Sequence, residues 1–233
     1  MRAPTQLPLA LPHAPSLGRE DFMPGQSNSA ALRLIEAWPD WPSPAVLLTG
    51  PEGSGKTHLA HIWAARAGAA IVEAAALWAE GFLPVAPGRA LALEDVDPEA
   101  VPEAALFHLL NFVREHGGSL LITSQSRAED WRVELKDLRS RLRLATPVAL
   151  GAPEDELLRQ VLVKLFTDRQ LLIDKPVIDY LVARMERSLS AAGRLVDALD
   201  RAALSAGHRI TRPMAAATLA EAPEAAEAFA ERQ

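Results

Sequence analysis

The chain has 233 residues, 49% of them hydrophobic, enough to bury a core in one large domain or two small ones. It carries 24 Lys and Arg against 30 Asp and Glu, a net charge of −6 that argues against a dedicated nucleic-acid binder without excluding a local basic patch. The absence of cysteine excludes disulfides, thiolate catalysis and cysteine-ligated metals, and no apolar run reaches the ~18 residues needed to cross a bilayer.

Residues 1–18 hold Pro4, Pro8, Pro12 and Pro15, which block helix and favour extended chain. These prolines also interrupt any signal-peptide core, so a cytoplasmic protein without a membrane partner is expected. Within this tail, Gln6-Leu7-Pro8-Leu9-Ala10-Leu11 sets three leucines at alternate positions. On an extended strand all three face one way and can dock in an apolar groove, with Gln6 hydrogen-bonding at the rim.

Residues 29–37 read as a helix ended by the Trp38-Pro39 and Trp41-Pro42 turns. Short apolar strands are predicted at 45–49 (AVLLT), 69–74 (AAIVEA), 89–97 (RALALEDVD), 119–125 (SLLITSQ) and 145–150 (ATPVAL). Helices are predicted from His58 to Gly68, over 102–117 and over 135–142. Short buried strands alternating with helices make an α/β core with a five-stranded parallel sheet, placed at residues 19–151. After Gly151 the strands stop. Helices over 153–170, 174–185 and 188–207, with a short one opened by Pro213, predict a small all-α subdomain at 152–220. Residues 221–233 are acidic and alanine-rich, and are expected to fray.

Gly50-Pro51-Glu52-Gly53-Ser54-Gly55-Lys56-Thr57 fits G-x-x-x-x-G-K-[ST] without a mismatch, between a predicted strand and a predicted helix. Glycines let the backbone curl so that amide N–H groups point at phosphate. Lys56 supplies charge at the terminal phosphates, Thr57 offers a hydroxyl to Mg²⁺, and the helix start adds its partial positive charge. An acid at the end of a second buried strand completes such a site. LALEDVD supplies Glu94 at the metal position and Asp95 at the position that polarises a water. Ser124, at the end of SLLITSQ, is a third candidate, for contact with the γ-phosphate or the water. Arg139 and Arg141 in LRSRL stand before the fifth strand, where an arginine could neutralise a transition state in a neighbouring subunit.

In this order, the parts resemble the AAA+ ATPases, and within them the replication initiator DnaA and its regulatory partner of the Hda type. GPEGSGKTHLAHIWAA is similar to the family's phosphate loop and helix, His58 included. REDFMPGQSNSAAL, with Phe22 and Met23, resembles the segment that helps enclose adenine. SLLITSQ and LRSRL fall where the first sensor and the arginine-finger box belong, and the helices after Gly151 match the lid. The chain stops after this lid, without the initiator's DNA-reading domain, and the QLPLAL segment sits where the Hda type carries its clamp-binding motif. The resemblance implies a regulator of replication initiation that binds ADP or ATP with Mg²⁺. Gln6, Leu7, Leu9 and Leu11 would dock on the DNA polymerase III beta sliding clamp, so that DNA is reached only indirectly. Arg141 would act in trans as the finger that stimulates ATP hydrolysis by DnaA, with Arg139 the weaker claimant.

Two departures go with this resemblance. Glu94 stands where aspartate is usual, and an ungapped comparison puts Ser190 at the second-sensor arginine's place, with Arg187 and Arg194 nearby. Slow intrinsic hydrolysis, with the nucleotide held as a structural ligand, fits both. The competing readings are a stand-alone initiator-like P-loop ATPase acting on DNA or loading another replication factor, and an adaptor whose phosphate loop serves stability alone. The oligomeric state, homodimer included, is open.

Overall fold

The computed structural model describes residues 16–80 and 88–230. The contacts divide them into two compact units, Leu17–Pro153 and the chain from Glu154 on, within a few residues of the expected boundary.

In the first unit, β1 (Ala45–Thr49), β2 (Ala70–Glu73), β3 (Ala90–Glu94), β4 (Ser119–Ser124) and β5 (Thr146–Ala149) form one parallel sheet in the order β2-β3-β4-β1-β5. Each strand expected from the sequence is present, trimmed at its ends. β1 is central and fully buried, in register with β4 (Leu47 opposite Ile122) and β5 (Leu47 opposite Pro147). Pro147 has no N–H to give a ladder, and it is tolerated because β5 is an edge strand with β1 as its only partner.

The period of two sorts β1 between two cores. Ala45 and Leu47 join Leu91, Leu93, Leu120 and Ile122 under α4 (Glu103–Glu115) and α5 (Lys136–Leu144). Val46 and Leu48 join Leu121, Leu59 and Trp63 under α1 (Ser29–Glu36) and α2 (Lys56–Ala67). A further helix, α3 (Ala74–Glu80), follows β2 directly and was not anticipated. Its sequence, AAALWAE, is too short for helical periodicity to show, and its alanines are apolar without marking a face.

The second unit is all helical: α6 (Asp155–Asp168), α7 (Lys175–Val182), α8 (Leu189–Ala206) and α9 (Arg212–Ala230). Leu158, Leu162, Phe166, Ile178, Leu181, Val196 and Leu199 fill its core. Ser188 caps α8 by accepting from Ala191 N at 3.2 Å, and Gly207 ends it with φ +67°. The final helix is longer than the short one expected after Pro213: it continues to Ala230, through most of the acidic segment expected to fray. Alanine, the best helix former, makes up much of that segment, which is why helix propensity outweighs the single Pro223.

Candidate nucleotide-binding site

The site is built where β1 ends. Gly50 leaves the sheet with its N–H donated to Ser124 O at 3.2 Å, which fixes the loop to the tip of β4. A Cβ at Gly50 would lie 2.8 Å from Leu150 O and 2.9 Å from Ser54 Oγ, so only glycine fits this crossing. Gly53 and Gly55 take φ of +65° and +101°, in the left-handed region that lets successive amides turn inward, and Gly55 is the N-cap of α2.

Lys56 opens α2 and is buried, with Nζ donating to Gly50 O and Pro51 O at 2.9 Å each. Its ammonium thus clasps the loop it belongs to. Burial pushes its pKa below the ordinary lysine range, opposed by the charges of Asp95, Glu52 and Glu94. Pro51, Glu52 and Thr57 are exposed along the loop, while Ser54 is buried.

Glu94 is the last residue of β3 and is buried. Burial raises its pKa. A hydrogen bond from the Thr57 hydroxyl and the charge of His61 oppose that shift, and the charges of Asp95 and Glu73 add to it. The two residues expected to share a metal ion therefore touch. Asp95 follows with φ +52°, a conformation Asp tolerates better than most residues, and its N–H donates to Thr123 Oγ1 at 2.9 Å. The backbone turn brings Asp95 out to an exposed position directly after buried Glu94. Ser124 is fully buried, and its hydroxyl donates to Val96 O at 2.8 Å. Its observed bond holds the acid-bearing turn against β4, while the exposed Gln125 follows it.

Two of the four buried side-chain atoms without a hydrogen-bond partner among the described residues are Ser54 Oγ and Glu94 Oε1. Native interiors rarely leave such groups unpaired, so their presence in the loop and at the facing acid fits a polar ligand with its cation. Among the described residues no group of three His, Cys, Asp or Glu could hold a metal alone. A Mg²⁺ ion held by Thr57 and Glu94 would complete its shell with phosphate oxygens and water, as that ion does elsewhere. It would neutralise phosphate charge there.

The segment before α1 closes over α2. Phe22 is buried and meets the His58 ring edge-on, with centroids 5.1 Å apart, and His58 Nε2 lies 2.8 Å from Gly18 O. Met23 is half-buried, and its carbonyl accepts from Asn28 Nδ2 at 3.0 Å. Asn28 was not singled out from the sequence. It is 1% exposed, it also accepts from Gly25 N at 2.8 Å, and so it pins the Met23 turn. The signal available was a Gly-x-x-Asn run just before a helix, an ordinary N-cap pattern. Phe22, Met23 and His58 are thus brought to the helix that carries Lys56 and Thr57.

The expected finger lies on α5. Leu138 and Leu142 bury the inward face of that helix. Arg139 Nη2 donates to Val133 O, whereas Arg141 is half-exposed with no hydrogen-bond or ion-pair partner among the described residues. Within the helical unit, Arg187 Nη1 donates to Asp155 Oδ1 at 2.6 Å, and Arg194 lies 3.6 Å from Glu186 and 3.3 Å from Ser190 Oγ. Gln6, Leu7, Leu9 and Leu11 lie outside the described residues.

Residues 155–219 match the family described as the Hda lid domain. An uncharacterized protein of Haemophilus influenzae is 26% identical over 227 residues, covering 89% of this chain and 95% of that protein. In structure, the chain is similar to domain III of Thermotoga maritima DnaA, with a TM-score of 0.76, 18% identity, and 91% and 98% of the two chains covered. AMPPCP-bound DnaA from Aquifex aeolicus gives a TM-score of 0.66 and 18% identity over 80% of this chain and 66% of that one. The Thermotoga maritima RuvB branch migration motor gives 0.66 and 20%, over 84% and 68%. The fold is that of the AAA+ proteins.

Proposed function

From a DnaA-like AAA+ core followed by helices that match the Hda lid, we propose that this protein is a regulator of replication initiation that holds an adenine nucleotide and acts on DnaA. The match of residues 155–219 to the Hda lid carries this reading, because the core fold alone is shared with motors such as RuvB.

The nucleotide's phosphates would lie in the amide cradle of residues 50–55, against Lys56 and the start of α2. The orphaned hydroxyl of Ser54 supports that placement. Phe22, Met23 and His58 would border the base. Thr57 and Glu94 would take Mg²⁺, and Asp95 would face the attacking water. Glutamate at the metal position favours holding a nucleotide over turning it over quickly. Solved DnaA bound to AMPPCP supports an adenine ligand in this fold.

The action on DnaA would be exerted in trans through Arg141, which is half-exposed and without a partner among the described residues. Gln6, Leu7, Leu9 and Leu11 would tether the protein to the beta sliding clamp, and so to DNA indirectly. Each buried leucine contributes roughly 1.5–3 kcal/mol before the ordering cost, so one tail binds weakly and a ring-shaped clamp with several grooves adds avidity.

The test is hydrolysis of DnaA-bound ATP, measured with and without this protein and with and without clamp loaded on DNA, after the nucleotide content of the purified protein is determined. Stimulation that requires the loaded clamp is the expected result. A protein without bound nucleotide that leaves DnaA turnover unchanged overturns the reading.

A further inference from the structure

On the sheet face opposite α2 lies a cavity of about 750 Å³ that the nucleotide site does not use. Leu47, Leu142, Ala145 and Val148 give it an apolar floor, and the guanidinium-bearing Arg127, Arg139 and Arg143 line it. One carboxylate, Glu129, is among its lining residues, and it pairs with Arg127 at 3.3 Å. Arg139 is tied to Val133 O, and Arg143 has no hydrogen-bond or ion-pair partner among the described residues. Arg139 and Arg143 are four residues apart on α5 and so project from one face, one turn apart. Arg141 does not line the cavity.

Three arginines around an apolar floor, in a chain of net charge −6, call for a ligand that is both anionic and apolar. The aromatic ring in the wall, Trp131, is 6% exposed and donates Nε1–H to Ser126 O, so no ring face is open for a base to stack on. That weighs against a nucleic acid, which needs such platforms, and favours a peptide.

The chain itself contains a matching segment. Residues 221–231 carry four Glu and no Lys or Arg, interleaved with Ala and Phe229. Glu221, Glu224 and Glu227 lie within α9 at successive intervals of three, which puts like charges on one side of the helix, one turn apart. Such a stripe repels itself and is relieved by opposite charge. Its spacing along the helix matches the i, i+4 pair Arg139 and Arg143. We propose that this cavity is a docking site for the acidic end of α9 from a second copy of the chain. The contact is heterologous, joining different surfaces of the two copies, and is independent of nucleotide.

The test uses the full chain, with sedimentation velocity as a function of concentration at low and high salt. A labelled peptide of residues 219–233 serves as a direct probe. Self-association that weakens with salt is expected. Arg143→Glu should weaken peptide binding about tenfold or more, and so should Glu224→Lys/Glu227→Lys in the peptide, while the altered peptide should bind the Arg143→Glu protein better than it binds wild type. Thermal melting confirms that Arg143→Glu folds, and Arg127→Glu is the second variant should it not. A chain that stays monomeric at all concentrations, or peptide binding indifferent to both arginine changes, overturns the proposal.

Discussion

The hydroxyl of Thr57, in the first turn of α2, donates a hydrogen bond to the carboxylate of Glu94 at the tip of β3. Two strands separate these residues' origins: β1 leads to Thr57, and β3 lies beyond β4 in the sheet. The bond therefore measures how well the phosphate loop and the facing acid are registered before any cation arrives.

Glu94→Gln should act in opposite directions on the empty and the loaded protein. Burial raises the folded-state pKa of Glu94 above its unfolded value, so the charged form is disfavoured in the fold. Below the unfolded value both states are protonated and there is no penalty. As pH rises through the folded value the penalty becomes complete. Free of nucleotide, the Gln variant should melt higher than wild type near neutral pH, and the difference should vanish toward pH 4. With Mg²⁺ and nucleotide the order should reverse, because a neutral amide is a poor ligand for a hard cation. Thermal melts across pH, with and without Mg²⁺ and ADP, check both signs.

Lys56→Ala should cost nucleotide affinity first. A charge-assisted hydrogen bond to phosphate contributes about 1.5–3 kcal/mol, or roughly 10–150-fold in Kd. The variant also leaves Gly50 O and Pro51 O without their donor. Calorimetric titration with ADP reads the affinity. The rise of melting temperature with added nucleotide, which tracks ligand binding to the folded state, should flatten in the variant.

The core strands and the lid helices were legible because their signals are local. AVLLT and SLLITS are short apolar runs bounded by polar residues, and Asp174 and Ser188 mark helix starts by chemistry that needs no partner elsewhere. The phosphate loop was legible for the same reason, since its glycines encode a backbone shape in eight consecutive residues. What escaped depends on distant contacts. Asn28 reads as a helix cap until the Met23 carbonyl is seen beside it. The Arg127, Arg139 and Arg143 cavity joins two segments across an edge strand, which no single window of sequence contains. In Ser124, composition gave a polar strand end, and only the fold shows its hydroxyl committed to Val96 O.

Leu7→Ala/Leu9→Ala should abolish capture by the sliding clamp without touching nucleotide binding. Two leucines moved from a groove to alanine forfeit about 3–6 kcal/mol of burial, more than a weak single-tail interaction holds. A pull-down with purified clamp, alongside ADP titration of the same variant, checks this. Wild-type capture would remove the tail from the interaction.

Arg141 and Arg139 stand two residues apart on α5 and should fail differently. Arg139 donates to Val133 O, so Arg139→Ala removes a bond inside the unit and should lower stability by about 1 kcal/mol. Arg141 has no partner of its own among the described residues, so Arg141→Ala should leave melting unchanged within about 0.5 kcal/mol. If it serves as a finger in trans, the same change should reduce stimulated hydrolysis of DnaA-bound ATP by about 10³-fold or more, the scale on which such arginines act. Melting and single-turnover hydrolysis on the two variants separate the roles. Loss of stimulation in Arg139→Ala with full stimulation in Arg141→Ala would exchange them, since stability alone cannot account for a variant that folds normally and leaves the partner's ATP intact.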